Sequence, residues 1–246
     1  VGAKPRQVHA IRTARTLGFA PLVTDSSSVA PGIAYAERWY PCDSKDVAGH
    51  AAIIPQIQQD YTLRGVVTAG ADVAPSVAAA ATLAWVRGIP LAVAWRTHNK
   101  ATVRQVLDVA GLSRYQPLWN VYHHDTDEYR VRRTLPQAWS KDTPTFGYPV
   151  VMKPLSQSAS RGVSIVRNAT DVAGAAERAR EYGMDILVEQ CLTGSEHSAE
   201  MLLDEAGVLW FNVVDRVFRY NRGIPIEEGH VNPSRLAPSQ WGDLRE

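Results

Sequence analysis

The feature that most narrows the fold is a regular exchange of helix-type and strand-type patterns over the first hundred residues. Residues 7–17 place Val8, Ile11, Ala14 and Leu17 at helical spacing, and Gly18 closes the run. A short apolar strand is expected over 19–23. After Pro31-Gly32, residues 34–40 predict a short helix followed by a strand, and 48–59 a second helix with Ile53, Ile54 and Ile57 on its buried face. Residues 65–69 read as a fully apolar strand, 73–85 as an Ala-rich helix and 90–93 as another strand. Strands that alternate with helices at this interval imply a parallel sheet covered on both faces.

A helix follows over 100–110, closed by Gly111, and then a mixed polar stretch, 113–146, that reads as an insertion without assignable elements. From Tyr148 the texture turns to β. Strands are expected at 149–152, 163–166, 185–189, 199–203 and 208–214, with one helix at 171–182 and a turn at 204–207. Strands grouped around one helix describe an α+β unit, built differently from the layer before it. The expected division is residues 1–98 and 99–246.

Composition serves mainly to exclude. A chain of 246 residues allows one or two domains, and 45% apolar content supplies their cores. The formal charge is +1 with no basic or acidic block, so neither nucleic acid nor a membrane surface is indicated as a partner. No apolar run reaches the roughly 18–20 residues of a membrane span. Cys42 and Cys191 have no metal-type spacing and suit a reducing, cytoplasmic setting, one long-range disulfide being the alternative. Both ends read as open: Val1-Gly2-Ala3 resembles the close of a strand, and 242–246 ends on no closing element.

Three groups of residues carry chemistry. Lys153 ends an apolar strand, where an ammonium is costly unless an anion meets it. The loop after it, Ser156-Gln157-Ser158-Ala159-Ser160-Arg161-Gly162, can present N–H groups and hydroxyls to phosphate oxygens. An ordinary hairpin whose lysine reaches solvent fits equally. In the second group, a strand ends at Glu189 and Glu196 follows seven residues later, past Gly194. A strand-to-linker backbone can pair with an adenine edge, and a carboxylate beyond it with ribose hydroxyls; the bland alternative is two exposed acids flanking a turn. In the third, Asn99-Lys100 opens a helix, where a cation opposes the helix dipole unless it points at an anion; an ordinary surface lysine is the alternative.

Taken in order, these groups resemble the ATP-grasp superfamily, from Val1 to about Leu203. Ala36 to Cys42, Gly65-Val66-Val67-Thr68 and Ala71-Asp72-Val73-Ala74 resemble its preATP-grasp domain. Asn99-Lys100, Val106-Leu107 and Ala110-Gly111 resemble the helix that opens its ATP-binding region. The most specific stretch is Gly147-Tyr148-Pro149-Val150-Val151-Met152-Lys153-Pro154, continuing to Arg161-Gly162-Val163, with Val188-Glu189, Gly194 and Glu196 after it. The resemblance implies an α/β and α+β architecture. A parallel-sheet, Rossmann-like preATP-grasp domain precedes an ATP-grasp domain made of a small β-rich lid subdomain and part of a larger one.

The same resemblance implies site roles. Lys100 and Lys153 would hold the α- and β-phosphates of ATP, and the loop bearing Ser156, Ser158, Ser160 and Gly162 would fold over the triphosphate. Glu189 would approach the adenine amino group, with the backbone at Gln190, Cys191 and Leu192 on the ring edge and Glu196 on the ribose. Arg216 would face the transferred phosphate. This loop has less glycine than the family's usually has. The implied magnesium ligands, an acidic residue and a Glu-x-Asn pair, would lie beyond residue 246, so Mg2+ is an expected cofactor without assigned ligands.

The segment 215–234 reads as a polar loop after a core strand. His230 is a candidate proton acceptor for an incoming amine, and Arg219 or Arg222 a candidate for meeting a carboxylate; a solvated polar loop is the competing reading. The implied activity is an ATP-dependent carboxylate–amine ligase working through an acyl phosphate. Its expected partners are small-molecule carboxylate and amine substrates, by preference amino acids, with a homo-oligomer left open. Two alternatives stand beside it: a carboxylase acting on bicarbonate, and a nucleotide-binding module without catalysis. A nicotinamide-dependent oxidoreductase is set aside, because Val1-Gly2-Ala3-Lys4-Pro5 lacks the required Gly-rich turn.

Overall fold

The structure is a computed structural model describing residues 1–123, 130–132, 139–140, 143–144, 147–221 and 224–245. It divides into two compact units, Val1–Val103 and Arg104–Glu246. Much of the 113–146 stretch, and Arg222, lie outside the described residues.

The first unit opens with helix α1 (Pro5–Thr16), whose start suits Pro5, since the first helical N–H has no partner to lose. Strand β1 (Leu22–Asp25) pairs in parallel with β2 (Arg38–Pro41), Leu22 opposite Arg38. β1 thus begins three residues later than the apolar run 19–23 suggests, and Phe19 is exposed. Residues 1–3 lie along the other side of β1, Gly2 N–H donating to Thr24 O at 2.8 Å. Ala3 N–H donates to the buried Asp25 carboxylate at 2.9 Å. Ala3, Ile11, Val23 and Ala30 form the core here.

Three further helices complete this unit: α2 (Val47–Asp60), α3 (Ala74–Leu83) and α4 (Leu91–His98). The Asp46 carboxylate caps α2 by accepting from Gly49 N–H at 2.8 Å. Its buried face is His50, Ile54 and Ile57, whereas Ile53 is half-buried. Two expected strands fail. Residues 65–69 form no ladder: Val66 packs against Ile54 and Ala80, but Val67 is 71% exposed. They meet residue 1 only through the Val1 amine on Val67 O, at 2.7 Å, and the Thr68 hydroxyl on Val1 O, at 2.9 Å. Residues 90–93 open helix α4 instead of forming a strand. A four-residue apolar run has no period of its own; Leu91, Ala92, Ala94 and Arg96 are good helix formers, and Ala94 is fully buried. Helix α5 (Lys100–Val109) crosses the division between the units. The Asn99 side chain caps it, accepting from Ala101 and Thr102 N–H at 3.0 and 3.1 Å.

The second unit is built on antiparallel pairs. Its main sheet contains β3 (Trp119–His123), β4 (Arg130–Arg132), β7 (Val150–Pro154), β8 (Ser164–Val166) and β9 (Ile186–Gln190), in the order β4-β3-β9-β7-β8. Two short strands, β5 (Trp139–Ser140) and β6 (Thr143–Pro144), pair separately. Helix α6 (Val172–Arg180) covers one face of the main sheet, where Val150, Met152, Val166, Ile186 and Val188 meet Ala175, Ala176 and Ala179. The small alanines let helix and sheet approach closely, and alternation along each strand leaves the other face to Val151, Lys153, Leu187 and Glu189. β3 was not foreseen: Trp119, Asn120 and Val121 are all buried in it, and so short a stretch with a polar residue at its centre carries little strand signal.

Strands β10 (His197–Asp204), β11 (Gly207–Asn221) and β12 (Ile224–Val231) form a second antiparallel sheet, followed by helix α7 (Pro238–Arg245). The polar loop expected over 215–234 is therefore mostly hairpin, and the chain's last described residues form a helix. Polar residues are tolerated in these strands because they pair across the ladder: Arg216 with Glu227 at 2.8 Å and Arg219 with Glu228 at 2.7 Å. Among the described residues no helix is long and apolar enough to cross a membrane, and both cysteines are free thiols.

Met152 is 1% exposed at the centre of the sheet core. Met152→Ala is expected to lower the unfolding free energy by about 2–5 kcal/mol. Val109→Ala, at a site 91% exposed, should change it by less than about 0.5 kcal/mol. Chemical denaturation of both variants checks the contrast.

Candidate functional site

β7 and β9 run side by side with Val151 opposite Glu189 and Lys153 opposite Leu187. That register puts Lys153 and Glu189 on one face, and the Lys153 ammonium pairs with Glu189 Oε2. Glu189 is 3% exposed. Its other oxygen, Oε1, accepts from Arg104 Nε on α5 at 2.6 Å. A buried carboxylate thus sits between two cations. Sequence reasoning found Lys153 and Glu189 but did not anticipate that they bond each other, and it missed Arg104. The available signal was that Arg104 and Asp108 stand four residues apart, on one face of α5. Lys100, the first residue of α5, belongs to the first unit.

The loop between β7 and β8 keeps Ser156, Ser158 and Ser160 half-buried. Ala159 and Ser160 both have left-handed backbone, φ 56° and 55°, and Arg161 N–H returns to Ser158 O at 3.4 Å. Gly162 ends the loop at φ +70°, where a β-carbon would stand 2.9 Å from the Tyr182 ring and 3.1 Å from Arg178 O. Glycine is thus required there twice over, by conformation and by the close approach of the end of α6.

Beyond Glu189 the strand edge is partly engaged. Gln190 N–H donates to Leu118 O at 2.8 Å and Cys191 N–H to Pro149 O at 3.2 Å. Of the three positions expected to meet an adenine edge, the donors of Gln190 and Cys191 therefore already serve neighbouring strands. Leu192 is 65% exposed.

A second cluster forms where β10, β11 and β12 meet. Arg216 Nη1 lies 3.3 Å from Glu196 Oε2, and the Tyr220 hydroxyl donates to Glu196 Oε1 at 3.4 Å. Arg216 Nε and His230 Nε2 both reach Glu227 Oε1, each at 2.8 Å. The two residues expected to act in catalysis thus converge on one carboxylate that sequence reasoning did not single out. Arg216, and after it His230, hold the Glu227 carboxyl below its ordinary value, while the Glu227 hydrogen bond raises the Arg216 guanidinium. Burial, followed by the Glu196 charge, raises the Tyr220 phenol.

Adjoining it is a network absent from the sequence reading. His197 Nε2 pairs with the Ser195 hydroxyl at 2.7 Å, and His197 Nδ1 lies 3.0 Å from Asp215 Oδ1. Ser234 donates to Asp215 Oδ1 at 2.5 Å, and Arg235 Nε pairs with Asp215 Oδ2 at 2.8 Å. The Arg235 guanidinium, and then the Ser234 hydroxyl, hold the Asp215 carboxyl down to about 2. Ser195, Glu196, His197, Arg216, Phe218 and Tyr220 are among the residues lining a cleft of about 410 Å³. It mixes cations, two acids (Glu196 and Asp215) and aromatic faces, a composition suited to a polar small molecule. Among the described residues no three His, Cys, Asp or Glu side chains group as ligands for a metal ion.

Residues 146–246 match the family model of the ATP-grasp domain. Over 113 residues, 42% of the chain, it is 32% identical to the vancomycin/teicoplanin A-type resistance protein VanA of Enterococcus faecium, covering 33% of that protein. Over 61 residues, 25% of the chain, it is 46% identical to a D-alanine--D-alanine ligase of Geobacter sulfurreducens, covering 19% of it. The crystal structure of L-amino acid ligase from Bacillus licheniformis superposes with a TM-score of 0.70 at 22% identity, over 96% of this chain and 54% of that one. The chain spans less than two thirds of the length of each of these proteins.

Two outcomes follow from the geometry. An unfolded Asp carboxyl titrates near ~3.9, whereas Asp215 in the folded chain titrates at about 2. A folded value below the unfolded one gives stability that is present above about pH 4 and lost as pH falls through about 2. The melting temperature of Asp215→Asn should therefore fall less steeply than wild type over that acid interval; parallel acid limbs would remove Asp215 from the account. Gly162→Ala should destabilise by at least about 1 kcal/mol through its left-handed backbone alone, as read by urea denaturation.

Proposed function

We propose that this chain, an ATP-grasp protein by its matched domain and its fold, provides the nucleotide-binding part of an ATP-dependent carboxylate–amine ligase. The observation that carries the reading is the β7–β9 pair. It sets Lys153 beside Glu189 on one sheet face, and the same strand then continues through an exposed edge at Leu192 to Glu196. Adenine recognition requires an acceptor for the exocyclic amine and a donor for a ring nitrogen. With the Gln190 and Cys191 donors engaged, Leu192 N–H is the donor and the Gln190 carbonyl the acceptor that we assign.

Glu196 would hold the ribose and Lys153 the phosphates, with Ser156, Ser158, Ser160 and the Gly162 turn closing over them. Lys100 is carried in this proposal by the resemblance alone. Arg216 would offset charge developing on the transferred phosphoryl group. Family resemblance implies Mg2+, but no residue of this chain is assigned to it and no step is routed through it.

In the proposed reaction a substrate carboxylate oxygen takes up the terminal phosphoryl group and ADP is released. The acyl phosphate then has a leaving group that the carboxylate lacked. An amine attacks its carbonyl carbon, the bond to the phosphate oxygen breaks, and phosphate departs. His230, which pairs with Glu227, would accept the proton that the amine loses. Amino acids are the preferred substrates, since the 46% identity over 61 residues is to a protein named for joining D-alanine units. A cytoplasmic setting, with both thiols free, belongs to the same proposal.

Lys153→Ala should lose most ATP affinity, about tenfold or more, with an unchanged circular dichroism spectrum; wild-type affinity would remove Lys153 from the site. Activity is tested by ADP and phosphate release from Mg-ATP, screened with paired amino acids and with bicarbonate. Release that requires two amino acids establishes the ligase. Release with bicarbonate alone would replace it with a carboxylase, and ATP binding without any release would favour a binding module.

A further inference from the structure

Two cations face one carboxylate at Glu189, so the group as a whole carries one surplus positive charge in a mostly enclosed place. Glu189 is 4% exposed in its side chain, Lys153 19% and Arg104 23%. The two cations are held differently. Lys153 comes from β7 on a flexible four-carbon stem. Arg104 belongs to a closed ring of bonds that does not involve Lys153. Its backbone carbonyl accepts from Gln116 Nε2 at 3.1 Å, and the same amide donates to Asp108 Oδ1 at 2.5 Å. Asp108 Oδ2 accepts from Trp119 Nε1 at 3.2 Å, and Trp119 is the direct strand neighbour of Glu189 on β3.

We propose that Arg104 is a positioning residue that lets Lys153 change partners: it keeps Glu189 neutralised when the Lys153 ammonium leaves for a nucleotide phosphate. The inference rests on the reading of Lys153 as a phosphate-binding residue. In the structure Glu189 Oε2 holds the Lys153 ammonium. Once Lys153 turns away, a carboxylate this buried would be stranded without a second cation, and stranding a buried charge is strongly unfavourable. Arg104 removes that obstacle, because it binds the separate oxygen Oε1 and its own position is fixed from α5 and β3. Arginine suits the permanent half of such an arrangement, being always charged and weakly hydrated, and lysine suits the exchanging half.

The consequence is specific to phosphate. Without Arg104, Lys153 remains tied to Glu189, and the nucleotide loses its phosphate contact while the adenine edge is untouched. Calorimetric titration of the whole chain with ATP and, separately, with adenosine tests this. Arg104→Gln is expected to weaken ATP about tenfold or more and to leave adenosine affinity unchanged. Arg104→Lys should recover part of the loss. The double variant Arg104→Gln/Glu189→Gln, which has no buried charge to strand, should recover most of it. Equal weakening of ATP and adenosine would make Arg104 a merely structural residue and overturn the proposal, as would unchanged ATP affinity in Arg104→Gln. Wild-type protein that binds neither ligand would overturn the nucleotide reading itself, a failure distinct from either of these.

Discussion

The second unit depends on the burial of one charge. Glu189 lies in the middle of the main sheet, between β3 and β7, with almost no access to solvent. A carboxylate at such a place is tolerated only if cations reach it. The chain supplies them from two directions, Lys153 from the neighbouring strand and Arg104 from α5. That requirement ties the N-terminal turns of the unit to its sheet: Arg104 can be in place only if α5 docks through Asp108, Gln116 and Trp119. The opposite face of the same sheet needs no such arrangement, being closed by alanines of α6 over valine, isoleucine and methionine.

The three-stranded sheet follows the same logic at a more exposed level. Asp215 is the fixed point. It gathers His197 from β10, Ser234 from the segment after β12 and the Arg235 guanidinium. Its low titration shows how strongly those donors favour its charged form. One residue further along β11, Arg216 plays the converse part, a single cation shared between Glu196 and Glu227. Because successive strand residues point to opposite faces, these adjacent positions organise two different surroundings from one stretch of backbone.

Much of the architecture was legible in order and texture. The helical spacing of Ile54 and Ile57, the helix opened at Asn99-Lys100 and the strands around Lys153 each follow from a local rule that the fold obeys. The failures also have local causes. Residues 90–93 are too few to show a period, so an apolar quartet that begins a helix reads like a strand. Residues 65–69 are apolar, but a strand needs a ladder partner, and they meet residue 1 through two hydrogen bonds, while Val66 packs on Ile54 and Ala80. The polar strands within 215–231 read as a loop in sequence because their charges look solvated until Arg216 and Arg219 are seen to pair with Glu227 and Glu228 across the strands.

The sequence by itself determined helices α1, α2, α3, α5 and α6, the place of Lys153 at a strand end and the spacing from Glu189 to Glu196. These are properties of neighbours along the chain, governed by propensity, alternation and turn chemistry. Only the tertiary structure decided which charges meet. Arg104 and Glu189 are 85 residues apart, and Asp215 and Arg235 are 20. No period or motif links such positions, because the pairing is set by strand register and helix docking. Electrostatics then selects among the groups those long-range contacts have brought within reach.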